Sequence, residues 1–130
     1  MKKLRALLLS LLPLSGYAMA SDEKTEPYIP NDELVNFILE EVSKDIPNPW
    51  YSARMVATIK QAKDGQTLLE ASYTYKAAAS SKEAVFEVSN VFGPLNAAKR
   101  LQSQMKAEGK PWSTIAIELR ADGNYEVHVQ

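Results

Sequence analysis

Two Asp-Gly pairs, Asp64-Gly65 and Asp122-Gly123, each stand between two runs in which apolar and polar residues alternate. An Asp-Gly pair flanked by period-two runs is a strong short-range hairpin signal, because glycine accepts the left-handed backbone of a tight turn. In the first pair of runs, Tyr51, Ala53, Met55, Ala57 and Ile59 alternate with Ser52, Arg54, Val56, Thr58 and Lys60. After the turn, Leu69, Ala71, Tyr73 and Tyr75 share one face, and Leu68, Glu70, Ser72, Thr74 and Lys76 the other. In the second pair, Ile115, Ile117 and Leu119 lead into Ala121-Asp122-Gly123-Asn124, and Tyr125, Val127 and Val129 follow on one face against Glu126, His128 and Gln130. The chain is thereby committed to two antiparallel hairpins, each with one apolar face to bury.

Something must cover those faces, and each hairpin is preceded by a helical pattern. Leu34, Val35, Ile38, Leu39, Val42 and Ile46 recur at helical spacing. Asn31 is placed to cap that helix, Asp32 and Glu33 suit the positive end of its dipole, and Pro47 and Pro49 end it. A second helix starts at Gly93-Pro94, buries Leu95, Ala98, Leu101 and Met105, and ends at Gly109. Each helix runs into a Pro-Trp corner, Pro49-Trp50 and Pro111-Trp112. The expected role of both tryptophans is to pin a strand against the preceding helix, and that of Tyr73 and Tyr75 is cross-strand packing. Residues 77–83 read as a loop, and 84–88 as either a short strand or a helical turn. The expected fold is α+β, a two-layer sandwich of two helices on an antiparallel sheet built from two hairpins, in the order α-β-β-α-β-β. The halves form a loose architectural repeat without a fixed period.

The first 20 residues read as a cleavable signal peptide: Lys2, Lys3 and Arg5, then a leucine-rich run, then Ala18-Met19-Ala20. The run is too short to span a bilayer comfortably, which takes roughly 20 apolar residues. The expected organisation is a signal peptide over 1–20, a flexible leader over 21–30 and one domain over 31–130. The expected location is the bacterial periplasm or the exterior, with no stable membrane anchor. Beyond the signal, 12 basic residues face 16 acidic ones, which speaks against a nucleic-acid partner. The chain has no cysteine, which removes disulfides, thiol catalysis and thiolate metal sites.

No catalytic motif stands out. The one histidine, His128, falls on the polar side of a strand without a nucleophile beside it, so a surface role is expected. There is no phosphate-binding glycine loop and no nucleophile elbow. The expectation is a non-enzyme with no cofactor and no metal, acting as a monomer or dimer. If a surface binds a partner, the polar faces of the hairpins together with the acidic helix are its expected place: Glu40, Glu41, Asp45, Arg54, Glu70, Glu118 and Glu126. Their alternate placement and length motivate the choice; a merely solvated face is the competing reading. A hydrolase built on two carboxylates would instead require a concave site with displaced titration.

The order of parts resembles a known family. A helix ends in a Pro-rich corner and a Trp (Pro47, Pro49, Trp50), and a hairpin closes on aromatics (Tyr73, Tyr75). A second helix leads to a Gly-Lys-x-Trp corner (Gly109, Lys110, Trp112), and a last hairpin runs from Ile115 to Val127. This is similar to the YezG-like immunity proteins, antitoxins encoded beside polymorphic bacterial toxins. The resemblance implies a non-enzymatic inhibitor that occludes the surface of one cognate toxin or effector, with acidic residues set against basic toxins. Members are usually cytosolic, so an export signal implies a toxin acting on the wall or envelope. A second expectation, independent of the resemblance, is an envelope-associated binding module.

Overall fold

A computed structural model of the chain describes residues 27–130. The expected signal peptide and most of the expected leader lie outside the described residues. The elements are α1 (Asn31–Ser43), β1 (Ser52–Gln61), β2 (Thr67–Lys76), β3 (Ala84–Val85), α2 (Phe92–Ala107), β4 (Thr114–Arg120) and β5 (Tyr125–Val129). The five strands form one sheet in the order β3-β2-β1-β4-β5, with every neighbouring pair antiparallel. The α+β two-layer sandwich expected from the pattern is the observed architecture, with one short strand added between β2 and α2.

Both helices pack against one face of the sheet. Leu34, Val35, Ile38 and Val42 of α1 and Leu95, Ala97, Ala98 and Leu101 of α2 are buried against Ala53, Met55, Ala57 and Ile59 of β1 and Ile115, Ile117 and Leu119 of β4. These strand positions are the alternating apolar sets of the sequence, because successive strand side chains point to opposite faces. Ala57 and Ala98 are fully buried small residues. The polar sets, including Arg54, Thr58, Glu70, Glu118 and His128, project from the opposite face, which no described element covers.

The repeat has a geometric counterpart. Trp50 and Trp112 are 62 positions apart, and so are Met55 and Ile117, which face each other at the centre of the β1–β4 ladder. An approximate two-fold axis therefore passes through that pair and exchanges α1-β1-β2 with α2-β4-β5. The backbone obeys it: Tyr51 N–H donates to Lys76 O and Tyr51 O accepts from Ala121, just as Ser113 N–H donates to Gln130 O and Ser113 O accepts from Ile59. The two turns match as well. Gly65 N–H donates to Ala62 O at 2.9 Å and Gly123 N–H to Arg120 O at 2.9 Å, while Asp64 and Asp122 accept from the backbone two residues on. Gly65 and Gly123 have φ of 89° and 95°, the left-handed region in which a side chain is strained.

The halves differ where the chain is longer. Between β2 and α2, Ala84 and Val85 pair with Tyr75 and Thr74, so the ambiguous stretch 84–88 opens with a two-residue strand and is neither strand nor helix beyond it. Phe86 and Val88 then turn into the core, and the Phe86 ring meets Tyr75 edge-on at 5.8 Å and Tyr73 at 5.9 Å. Tyr73 packs as expected, but its buried hydroxyl finds no partner among the described residues, and burial raises its pKa.

Three local readings change. Asn31 does not cap α1: Pro30 holds that position, and its carbonyl accepts from Glu33 and Leu34. The Asn31 side chain is drawn away to α2, where its Oδ1 accepts from Gln104 Nε2 at 2.9 Å. Tyr51, assigned to the apolar alternation, is 43% exposed because it precedes β1 and lies beyond the helices. Trp112 is buried, whereas Trp50 is only half-buried. The approximate two-fold explains the last difference. β1 runs ten residues and β4 only seven, so Ile59 stands beside Trp112 where only Ala121 stands beside Trp50.

Candidate functional site

The seven candidate residues fall into two groups on opposite layers. Glu40, Glu41 and Asp45 belong to α1 and the turn after it, on the helical side. Arg54, Glu70, Glu118 and Glu126 belong to strands and project from the open face. The sequence placed them on polar faces correctly, but only the sheet order shows that they do not form one surface.

Glu41 and Asp45 are engaged inside the protein. Asp45 accepts from the Ser89 backbone N–H at 2.8 Å and from the Ser89 hydroxyl at 2.9 Å. Glu41 accepts from Lys44 Nζ at 2.7 Å and from Asn90 Nδ2 at 3.0 Å. Asn90 in turn accepts from Gly93 N–H at 2.9 Å, satisfying one of the free donors at the start of α2. A Cβ at Gly93 would lie 2.3 Å from Asn90 Nδ2, so glycine is what admits this cap. The two acids thus fasten the end of α1 to the start of α2. The Ser89 N–H and hydroxyl hold Asp45 below its ordinary carboxylate range, and Lys44 and then Asn90 do the same for Glu41.

This makes a signed prediction. A carboxylate with a lowered folded-state pKa adds stability that is present above its unfolded value and lost as pH falls through the folded one. Asp45→Asn should therefore be less stable than wild type at neutral pH. The gap should close below about pH 4, the unfolded carboxylate range. Urea midpoints measured from pH 7 to pH 2.5 test it, and a gap independent of pH would show that the Asp45 charge is not involved.

On the open face, register builds a row across four strands. Arg54 stands between Thr74 of β2 and Glu118 of β4, and Glu118 faces Glu126 of β5. Directly opposed strand residues have Cβ atoms about 4.5–5.5 Å apart, so three of the candidates form one contiguous charged line. Glu70 lies two rows away, opposite Thr58. The next row adds Lys76 and Arg120, both opposite Ser52. Lys76, Arg54 and Arg120 with Glu83, Glu118 and Tyr51 border a depression of about 290 Å³ at this end of the sheet. A second hollow, of about 370 Å³, continues from Glu118 and Arg120 to Tyr125 and Glu126. Sequence reasoning missed Lys76, Arg120 and Glu83. Lys76 and Arg120 were legible as polar strand positions, but their convergence depends on the pairing of β1 with β4. Glu83 lies in the loop before β3 and reaches the face through its bond with the Thr74 hydroxyl, 3.1 Å.

Chemically, this surface offers three cations and two carboxylates on a rigid backbone at one end, becoming acidic toward β5. That arrangement suits recognition of a partner with patches of both signs. The two carboxylates with displaced titration, Glu41 and Asp45, do not border it. His128 lies on the same face, exposed, with Nε2 3.1 Å from Glu126 Oε1. Among the described residues, no three of His, Asp and Glu come together to hold a metal ion, and no helix is long and apolar enough to cross a membrane. No protein-family model matches the chain, and no curated protein matches it.

Proposed function

We propose that this protein is a non-catalytic, exported protein-binding module that acts as an immunity protein, occluding a cognate bacterial toxin or effector in the periplasm or outside the cell. The observation that carries the reading is the open sheet face, where Arg54, Glu118 and Glu126 form one charged line beside Lys76 and Arg120. Side chains on a fully paired sheet are held at fixed spacing, so a charge pattern there favours one partner and opposes others. The resemblance to the YezG-like immunity proteins supplies the class of partner, and the signal peptide read from residues 1–20 supplies the compartment.

Affinity capture from a native periplasmic and secreted extract tests it, comparing wild type with Glu70→Lys, Glu118→Lys and Glu40→Lys. The expected result is one stoichiometric partner with a toxin-like domain. Reversal at Glu118 or Glu70 should weaken its binding about tenfold or more. Reversal at Glu40, on the helical side, should leave binding within twofold. Binding that is unaffected by the strand reversals sinks the open-face reading. Recovery of envelope lipid or envelope proteins alone replaces the immunity role with an envelope-binding one.

A further inference from the structure

We infer that the outer edge of β5 is a homodimer interface, at which two copies pair β5 with β5, antiparallel about Val127, to join their sheets into one. The inference concerns a different part of the molecule from the depression and does not rest on the proposed function.

β5 ends the sheet, and among the described residues nothing pairs with its outer side. The opposite end is treated differently: β3 pairs with β2, and Phe86 folds under it. Edge strands are commonly protected by lysine, proline or a bulge, because their free N–H and C=O groups invite another strand. The β5 sequence, Tyr-Glu-Val-His-Val, has no lysine or proline and pairs with β4 without a bulge; Glu126 is its one carboxylate.

The direction of its free groups is settled by the inner ladder. Gln130 exchanges both of its backbone bonds with Thr114, each at 2.9 Å, and Asn124 O accepts from Arg120 at 2.8 Å. Even-numbered residues of β5 therefore point their backbone groups inward. Tyr125, Val127 and Val129 direct theirs to the free edge. An antiparallel pairing centred on Val127 places Val127 opposite Val127 of the second copy and Tyr125 opposite its Val129, all as hydrogen-bonded pairs, which gives six bonds for three residues a side.

The side chains fit the same register. Tyr125, Val127 and Val129 lie on the helix-covered face, yet they are 42%, 38% and 40% exposed. Their cross-strand neighbours Leu119, Ile117 and Ile115 are buried, so these three extend the core's rows past the last covered strand. The second copy would continue each row with an aromatic or β-branched residue, a favourable cross-strand partner. On the open face, centring on Val127 sets Glu126 opposite His128 of the second copy, twice by symmetry, so that each carboxylate meets an imidazole. Moving the centre to Glu126 would oppose two carboxylates, and moving it to His128 would oppose two imidazoles. Only the Val127 register joins the free backbone groups of all three apolar residues and pairs unlike polar groups.

Sedimentation equilibrium of the full chain over a range of concentrations tests this, with wild type expected to approach twice the monomer mass. Val127→Pro removes an N–H that the β4–β5 ladder does not use, so it should leave the fold intact and abolish the dimer. Because proline can disturb β5 itself, a charge exchange supplies a second reading. His128→Glu, which opposes carboxylates at both symmetric positions, should raise the dissociation constant about tenfold. Adding Glu126→Lys to it should restore pairing. A monomer at every soluble concentration overturns the inference, as does a dimer indifferent to both His128→Glu and Val127→Pro.

Discussion

Ile115→Ala is expected to lower the unfolding free energy by about 2–5 kcal/mol, the range for truncating a fully buried aliphatic side chain. Ile115 is completely buried. It stands on β4 with Ala57 of β1 on one side and Val129 of β5 on the other. Ala57 is itself completely buried, so no larger neighbour stands there to relax into the space. A cavity left among such neighbours adds to the lost transfer energy. Native domains are stable by only about 5–15 kcal/mol, so one truncation removes a large share. Ile115→Val should cost only about 0.5–1.5 kcal/mol. Val129→Ala is the informative control, because Val129 is the direct neighbour of Ile115 on the same face yet 40% exposed. It should cost under about 1 kcal/mol in a monomeric sample, in line with substitutions at partly exposed positions. Denaturant unfolding of the three variants checks the series. Equal losses at Ile115 and Val129 would mean that the helical layer covers β5 as fully as β4.

Trp112→Ala should cost about 3–5 kcal/mol, and Trp50→Ala about 1–2 kcal/mol in proportion to the smaller area it buries. The two occupy matching places after their helices, so the sequence makes them equivalent. The structure does not. Trp112 is 6% exposed, its indole N–H donates to Met105 Sδ at 3.2 Å, and its carbonyl accepts from Gln102 Nε2 at 2.8 Å. The same Gln102 nitrogen donates to Ile59 O at 3.2 Å, which ties the corner to the long end of β1. Trp50 instead borders an open groove with Leu39, Leu119 and Tyr125. Urea unfolding of both variants decides the matter. Equal losses would show that the shorter β4–β5 hairpin shelters Trp50 as well as the longer hairpin shelters Trp112.

The open face and the β5 edge divide two kinds of recognition between them. A charged row on a paired sheet reads a partner through side chains, whereas a free edge reads it through the backbone. Glu126 and His128 belong to both, since they lie on the open face at its outer margin. Pairing of two copies would therefore set two charged faces side by side without covering the depression near Arg54.

The sequence by itself determined the elements, their inward faces and the turns. Strand alternation allows only one apolar face per hairpin, helical spacing allows one stripe per helix, and Asp-Gly admits the left-handed residue each turn needs. Those are local rules, acting over a few residues, and they apply before any tertiary contact forms. It was also enough to place Arg54, Glu70, Glu118 and Glu126 on the polar side of their strands. What it did not contain is which hairpin edge meets which. The pairing of β1 with β4 joins residues about 60 positions apart, and no local pattern encodes a partner at that distance. That pairing aligned Arg54 with Glu118 and set Arg120 across Ser52 from Lys76, while the packing of both helices on the apolar face put the α1 acids on the other layer. Tertiary packing likewise decided Asn31, Glu41 and Asp45, each legible as a helix-end or surface residue but recruited as a clasp between α1 and α2. Asn31 and Asp45 take long-range hydrogen bonds, to Gln104 and Ser89, and Glu41 adds a long-range bond from Asn90 to its local one from Lys44, because the packing of the helices on the sheet brings those partners within reach.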